Sequence, residues 1–91
     1  MSTQGTATID FGSSPVDEAT FNIIDASLSG LTYAEAWFMR DSTADNSVDE
    51  HEQIAGRARA TCSISGTTLT IYVEILVGFV NGTFKIRYVA N

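Results

Sequence analysis

The chain predicts an all-β fold, an antiparallel β-sandwich or small flattened barrel of about six strands. Three observations carry that expectation. Asn81-Gly82 has the composition of a type I′ hairpin turn. Apolar and polar residues alternate over most of the chain. Short turns containing glycine or serine separate the alternating runs, and no convincing helix interrupts them.

Residues 5–11 form the first expected strand, with Ala7, Ile9 and Phe11 alternating against Thr6, Thr8 and Asp10. Gly12-Ser13-Ser14-Pro15 ends it, and the only proline falls in that loop, where its missing N–H is harmless. The second strand covers residues 19–25, with Phe21 and Ile23 facing one way. Ser27 to Thr32 is a polar connection. Tyr33 to Asp41 would tolerate a helix, but Tyr33, Glu35, Trp37 and Met39 form one period-2 row and Ala34, Ala36 and Phe38 another. A strand is expected there, either central in a sheet or covered on its outer side.

Residues 41–52 read as a polar loop rich in carboxylates, namely Asp41, Asp45, Asp49, Glu50 and Glu52. Alternation then resumes. Ile54, Gly56, Ala58, Ala60, Cys62 and Ile64 share one face, and the chain reverses at Ser65-Gly66 or Gly66-Thr67. Leu69, Ile71, Val73, Ile75 and Val77 continue the inward row, the small residues of one strand lying against the large ones of the next. Pairing outward from Asn81-Gly82 sets Val77 opposite Ile86, Ile75 opposite Tyr88 and Val73 opposite Ala90, with Phe79 and Phe84 heading the row. Lys85 and Arg87 fall on the other face. Residues 54–90 are therefore expected to form a C-terminal three-stranded meander whose register a one-residue slip would destroy.

Ninety-one residues make a single domain, 1–91, of a size that buries roughly 60–70% of its unfolded surface and is marginal alone. Cys62 is the only cysteine, so no internal disulfide assists. It faces the same way as Ile64 and reads as a buried, inert thiol. Oligomerisation is the remaining stabilising route. The net charge of −6 argues against a nucleic-acid partner, because the cations are scattered, with Arg57 and Arg59 on one strand and Lys85 and Arg87 on another. They are expected to pair with the chain's own carboxylates. No run approaches the ~18 apolar residues of a membrane span, and Met1-Ser2-Thr3-Gln4-Gly5 has no signal-peptide character, so synthesis in a cytoplasm is expected.

No catalytic constellation emerges. The only histidine, His51, lies in the acidic stretch with no hydroxyl placed beside it. Clustered carboxylates could flank a glycosidic bond or, with Asn46, offer oxygen ligands to a hard cation. They lack the Asp-x-Asp-x-Asp-Gly order of a helix–loop–helix calcium site, and a solvated face is the simpler reading. No enzyme activity, cofactor or metal is assigned. Tyr33 and Trp37 are either a sugar-stacking platform or part of the core or a subunit contact. Tyr72, Leu76 and Val89 add apolar material to the nominal outer face of the meander. Trp37, Met39, Tyr72, Leu76 and Val89 are accordingly the expected interface residues.

The succession Asp10-Phe11-Gly12, Ala34-Glu35-Ala36-Trp37, Thr43-Ala44-Asp45, Asp49-Glu50-His51, Gly66, Thr70-Ile71-Tyr72 and Gly82-x-Phe84-x-Ile86-x-Tyr88-Val89 resembles the small β-rich structural proteins of tailed bacteriophages. The likeness spans nearly the whole chain. It implies a virion component, commonly trimeric: a capsid decoration (cement) protein contacting the major capsid protein or another virion protein. The alternative it implies is a tail-fibre tip or glycan- or receptor-binding module.

Overall fold

Two three-stranded antiparallel sheets share one core in the computed structural model, which describes residues 2–91. The strands are β1 (Thr3–Asp10), β2 (Glu18–Ile24), β3 (Ala34–Phe38), β4 (Ala58–Ser65), β5 (Thr68–Ile75) and β6 (Thr83–Ala90). The first sheet has the order β1-β6-β3 and the second β2-β5-β4. A helix, α1 (Val48–Ala55), and a 3-10 turn at Ala26–Leu28 complete the chain. The expected all-β sandwich of six strands is the architecture found.

Alternation explains which side of each strand is buried. From β6 come Phe84, Ile86, Tyr88 and Ala90, and from β5 come Leu69, Ile71, Val73 and Ile75, all buried. The two rows meet across the sandwich with Ile9, Phe38 and the plug residue Leu28. Each fully buried aliphatic side chain contributes about 1.5–3 kcal/mol of transfer free energy. Edge-to-face ring pairs close one end of the core, with Phe11 set 5.2 Å from Phe21 and 5.8 Å from Phe84.

The expected three-stranded meander does not form. β4 and β5 are a hairpin, with Ser65 opposite Thr68 across Gly66-Thr67, and Gly66 at φ 62° supplies the one left-handed residue. β5 and β6, however, belong to different sheets. Ile86 pairs with Ala7 and Phe38 rather than with Val77. Asn81-Gly82 is not a type I′ turn, since Gly82 has φ 78° but no described residue other than glycine has a positive φ. Residues 76–82 cross from one sheet to the other, tied by the bridge between Val16 and Val80. Alternation fixes the face a strand buries but not its neighbour. Two apolar rows that could lie side by side in one sheet satisfy the same pattern when they oppose each other across a core.

The acidic stretch is also not simply a loop, and the strand expected from Ile54 begins only at Ala58. Ser47 caps α1 through a reciprocal capping box with Glu50, Glu50 N–H donating to Ser47 Oγ and Ser47 N–H donating to Glu50 Oε1. Asp49 and Glu50 in the first turn complement the helix dipole. His51 and Ile54, three residues apart, form its buried face, packed toward β3 and β4. Gly56 ends the helix rather than continuing a strand row.

Candidate functional site

The outer face of the first sheet carries exposed aromatic side chains beside hydrogen-bonding groups. β3 presents Glu35 and Trp37 outward while Ala34, Ala36 and Phe38 turn inward. Tyr33 precedes β3 but stays in register, because its N–H and carbonyl both bond to Asn91. Across the sheet Trp37 lies opposite Arg87, and Arg87 opposite Thr6. Glu35 lies opposite Val89, and Val89 opposite Gln4. Tyr33 is 55% exposed and Trp37 44%. Arg87 donates to Gln4 Oε1, and the Tyr33 hydroxyl donates to Glu35 Oε1 at 2.5 Å. That bond to a carboxylate raises the Tyr33 phenol above its ordinary pKa.

A second feature is the crossover after β5. Leu76, Val77 and Phe79 are exposed by 59, 70 and 63%. The segment is anchored rather than loose. Leu76 N–H donates to the Arg57 carbonyl at 2.7 Å, and the Arg57 guanidinium donates to the Val77 carbonyl at 3.1 Å. Three large apolar side chains therefore project from a fixed backbone at one end of the sandwich.

The acidic stretch does structural work along β6. β3 ends at Phe38, yet β6 continues outward to Thr83, leaving main-chain groups on that side without a strand partner. Side chains of residues 43–51 take the vacant positions. Lys85 N–H donates to His51 Nε2 at 2.9 Å. Thr83 N–H donates to Asp45 Oδ2 at 2.9 Å, and the Thr83 carbonyl accepts from Thr43 Oγ1 and Asn46 Nδ2, each at 2.8 Å. Asn46 Nδ2 also reaches the Asn81 carbonyl. His51 is wholly buried, and its Nδ1 lies 2.9 Å from the Ser47 carbonyl. A carbonyl can only accept and an N–H can only donate, so the ring is the Nδ1–H tautomer with both nitrogens used.

These contacts engage part of the acidic segment in the fold. Asp45 and Asn46 are committed to β6, and Glu50 to the helix cap. Among the described residues no three His, Cys, Asp or Glu side chains converge. An open polar hollow of about 600 Å³ lies between Asp10, Ser13, Asp45 and Asn81. Asp10 there accepts from Gly12 N–H at 2.8 Å.

The five expected interface residues do not share one surface. Trp37, Met39 and Val89 belong to the outer side of the first sheet. Tyr72 stands on the outer side of the second, between Thr20 and Thr61, with its hydroxyl on Glu18. Leu76 is part of the crossover. Cys62 is half-buried, and burial followed by the Glu35 charge pushes its thiol up, away from the reactive thiolate. Of the cations, Arg59 pairs with Glu74, Arg40 with Glu52 and Lys85 with Asp41, whereas Arg57 and Arg87 bond to neutral oxygens. Sequence reasoning missed Phe79 and Val77 as surface residues because it placed both in a buried row. It also missed Gln4, whose position depends on a β1–β6 pairing that alternation cannot reveal. Among the described residues no helix is long and apolar enough to cross a membrane. No family model, curated protein or solved structure matches the chain.

Proposed function

We propose that the chain is a non-enzymatic structural subunit of a virion, a capsid decoration protein that works as a homotrimer bridging neighbouring shell proteins. The observation that carries this reading is the crossover tip. Leu76, Val77 and Phe79 lie within four residues of one another, each more than half exposed on a backbone held in place by Arg57. Isolated exposed apolar residues are ordinary, but a cluster on so small a surface favours contact with another protein. Burial there recovers about 25 cal/mol per Å² of apolar surface. A contact between unlike patches closes into a ring or propagates, and a closed ring of three suits a shell ornament. The resemblance to small phage structural proteins points the same way.

Particle imaging with subunit counting tests it. Several copies per shell protein cluster, with heads lacking the subunit releasing DNA at a lower temperature, is the expected result. A handful of copies confined to the tail, or heads indifferent to its loss, would remove the decoration role. In solution, Phe79→Glu should dissociate the assembly while leaving the far-UV spectrum and melting of the subunit nearly unchanged. A wild-type chain that sediments as a monomer at micromolar concentration would count against the assembling role itself.

A further inference from the structure

On the outer face of the first sheet, Tyr33, Glu35 and Trp37 occupy alternate positions of one extended run, so their side chains stand in a row. Four residues of strand separate the two rings by about 13 Å, the length of a short oligosaccharide. Beside this row runs a second made of Arg87, Val89 and the Asn91 backbone, and beyond it Thr6 and Gln4. The result is a platform in which Trp37 stands opposite Arg87 and Tyr33 is bonded to Glu35.

We infer that this platform binds a neutral, linear glycan lying along β3. A pyranose ring has an apolar C–H face and a rim of hydroxyls. Exposed Tyr and Trp rings offer apolar faces to it. Arg87 supplies donors in a rigid fork, Glu35 supplies acceptors, and Gln4 supplies both. These groups are already tied together, Arg87 to Gln4 and Tyr33 to Glu35, with donors and acceptors left over. Less side-chain freedom is lost when a ligand arrives. The charges bordering the row balance, since Lys85 meets Asp41 and Arg87 faces a face that also carries Glu35. That balance favours an uncharged chain over an acidic one.

The same pattern disfavours a protein partner on this face. The centre of a protein interface is a contiguous apolar patch depleted of charge. Here Glu35 separates the two rings and Arg87 flanks Trp37. The apolar cluster that does suit a protein contact is the crossover tip, which contributes nothing to the platform. Assembly and glycan binding are therefore separable properties.

Trp37 is the only tryptophan, so its emission reports on the platform directly. The probes are soluble β-1,4-glucose, β-1,4-N-acetylglucosamine, β-1,4-xylose and α-1,4-glucose oligosaccharides, titrated to millimolar concentration and followed by fluorescence and calorimetry. At least one should shift the emission to shorter wavelength with saturation and measurable heat. Trp37→Ala should abolish the heat, and Tyr33→Ala and Arg87→Ala should each weaken binding by about tenfold, equivalent to about 1.4 kcal/mol. All three side chains are solvent-facing, and circular dichroism verifies that the variants remain folded. Phe79→Glu should bind sugar as the parent does, which keeps the outcome independent of the assembly reading. No response to any of the four probes, or undiminished binding by folded Trp37→Ala, would overturn the inference.

Discussion

The imidazole of His51 accepts the main-chain N–H of Lys85 at 2.9 Å and takes the place that a strand carbonyl would otherwise fill. β6 is the middle strand of its sheet, yet its partner β3 is only five residues long. Beyond Phe38, Met39 N–H still bonds to the Lys85 carbonyl, and side chains continue the ladder, His51 on the Lys85 N–H and then Asp45, Thr43 and Asn46 on Thr83. Buried or part-buried main-chain groups need partners, and this segment supplies them without a fourth strand. Asp45, Glu50 and the lone histidine are thus engaged in holding the fold, while the surface rings and the crossover tip stay exposed.

His51→Ala should therefore destabilise the chain by about 2–4 kcal/mol, combining a cavity beside Phe84 with an unpartnered Lys85 N–H. The loss is a large share of the total for a domain whose stability is of the order of 5–15 kcal/mol. Urea denaturation measures it. His51→Phe separates the two contributions, because it refills the space but accepts no hydrogen bond. A phenylalanine variant as stable as the parent would show that the imidazole nitrogens contribute nothing.

Asn46 offers a sharper probe of the same edge. Its Nδ2 donates to the carbonyls of Thr83 and Asn81, at 2.8 and 3.2 Å, from a nearly buried position. Asn46→Asp keeps the shape and replaces the donor with a negatively charged acceptor aimed at two carbonyls. A loss of at least about 2 kcal/mol is expected at neutral pH. The introduced carboxylate is disfavoured only when ionised, so the deficit should narrow as pH falls and the group protonates. Melting curves of parent and variant at several pH values test this, and a pH-independent difference would contradict it.

The sequence made the strands legible and left their neighbours hidden. Phe84, Ile86, Tyr88 and Ala90 are buried as the alternation requires, and so are Leu69, Ile71, Val73 and Ile75. The same alternation was consistent with β5 beside β6 and with β5 facing β6, and only packing in three dimensions chooses. The helix had a readable signal in Ser47-Val48-Asp49-Glu50, the spacing of a capping box. Ile54 and Gly56 obscured it by fitting equally into the alternating row that leads to Ala58. Trp37 was recognised as a residue able to act at a surface. Its companions Gln4 and Arg87 were not, because they meet it only through pairings separated by most of the chain.

Acid should weaken the join between the sheets at Asp25. Its carboxylate accepts from Ser27 N–H at 3.0 Å, from Ser27 Oγ at 2.7 Å and from the Tyr88 hydroxyl at 2.8 Å. The Ser27 side chain first, then Tyr88 and the Ser27 backbone, hold this carboxyl below its ordinary pKa. A carboxyl lowered in the folded state contributes stability that is fully present above its unfolded value, about 3.9. That contribution is lost as pH falls through the folded value. Stability should thus be flat with respect to this group from neutral pH to about pH 5 and decline below about pH 4. Asp25→Asn should be less stable at neutral pH and should show a shallower acid decline. Superimposable pH profiles for the two proteins would refute the assignment.

Tyr88 also explains a glycine in the middle of β1. Gly5 pairs with Tyr88 across the first sheet, and a Cβ at Gly5 would lie 2.5 Å from the phenol oxygen and 2.6 Å from the ring carbon bearing it. The ring lies over the space that a side chain would fill, which lets its hydroxyl reach Asp25 on the 3-10 turn that follows β2. Glycine in a strand interior is unfavourable by itself, so its presence reflects this close approach. Gly5→Ala should consequently destabilise by about 1–3 kcal/mol through overpacking, despite alanine's better strand propensity. In a Tyr88→Leu background the shorter side chain leaves room, and the same substitution should become neutral or slightly stabilising. The double-mutant cycle measured by urea denaturation should give a coupling of about 1 kcal/mol or more. Additive effects would mean that the glycine is required for some reason other than the ring above it.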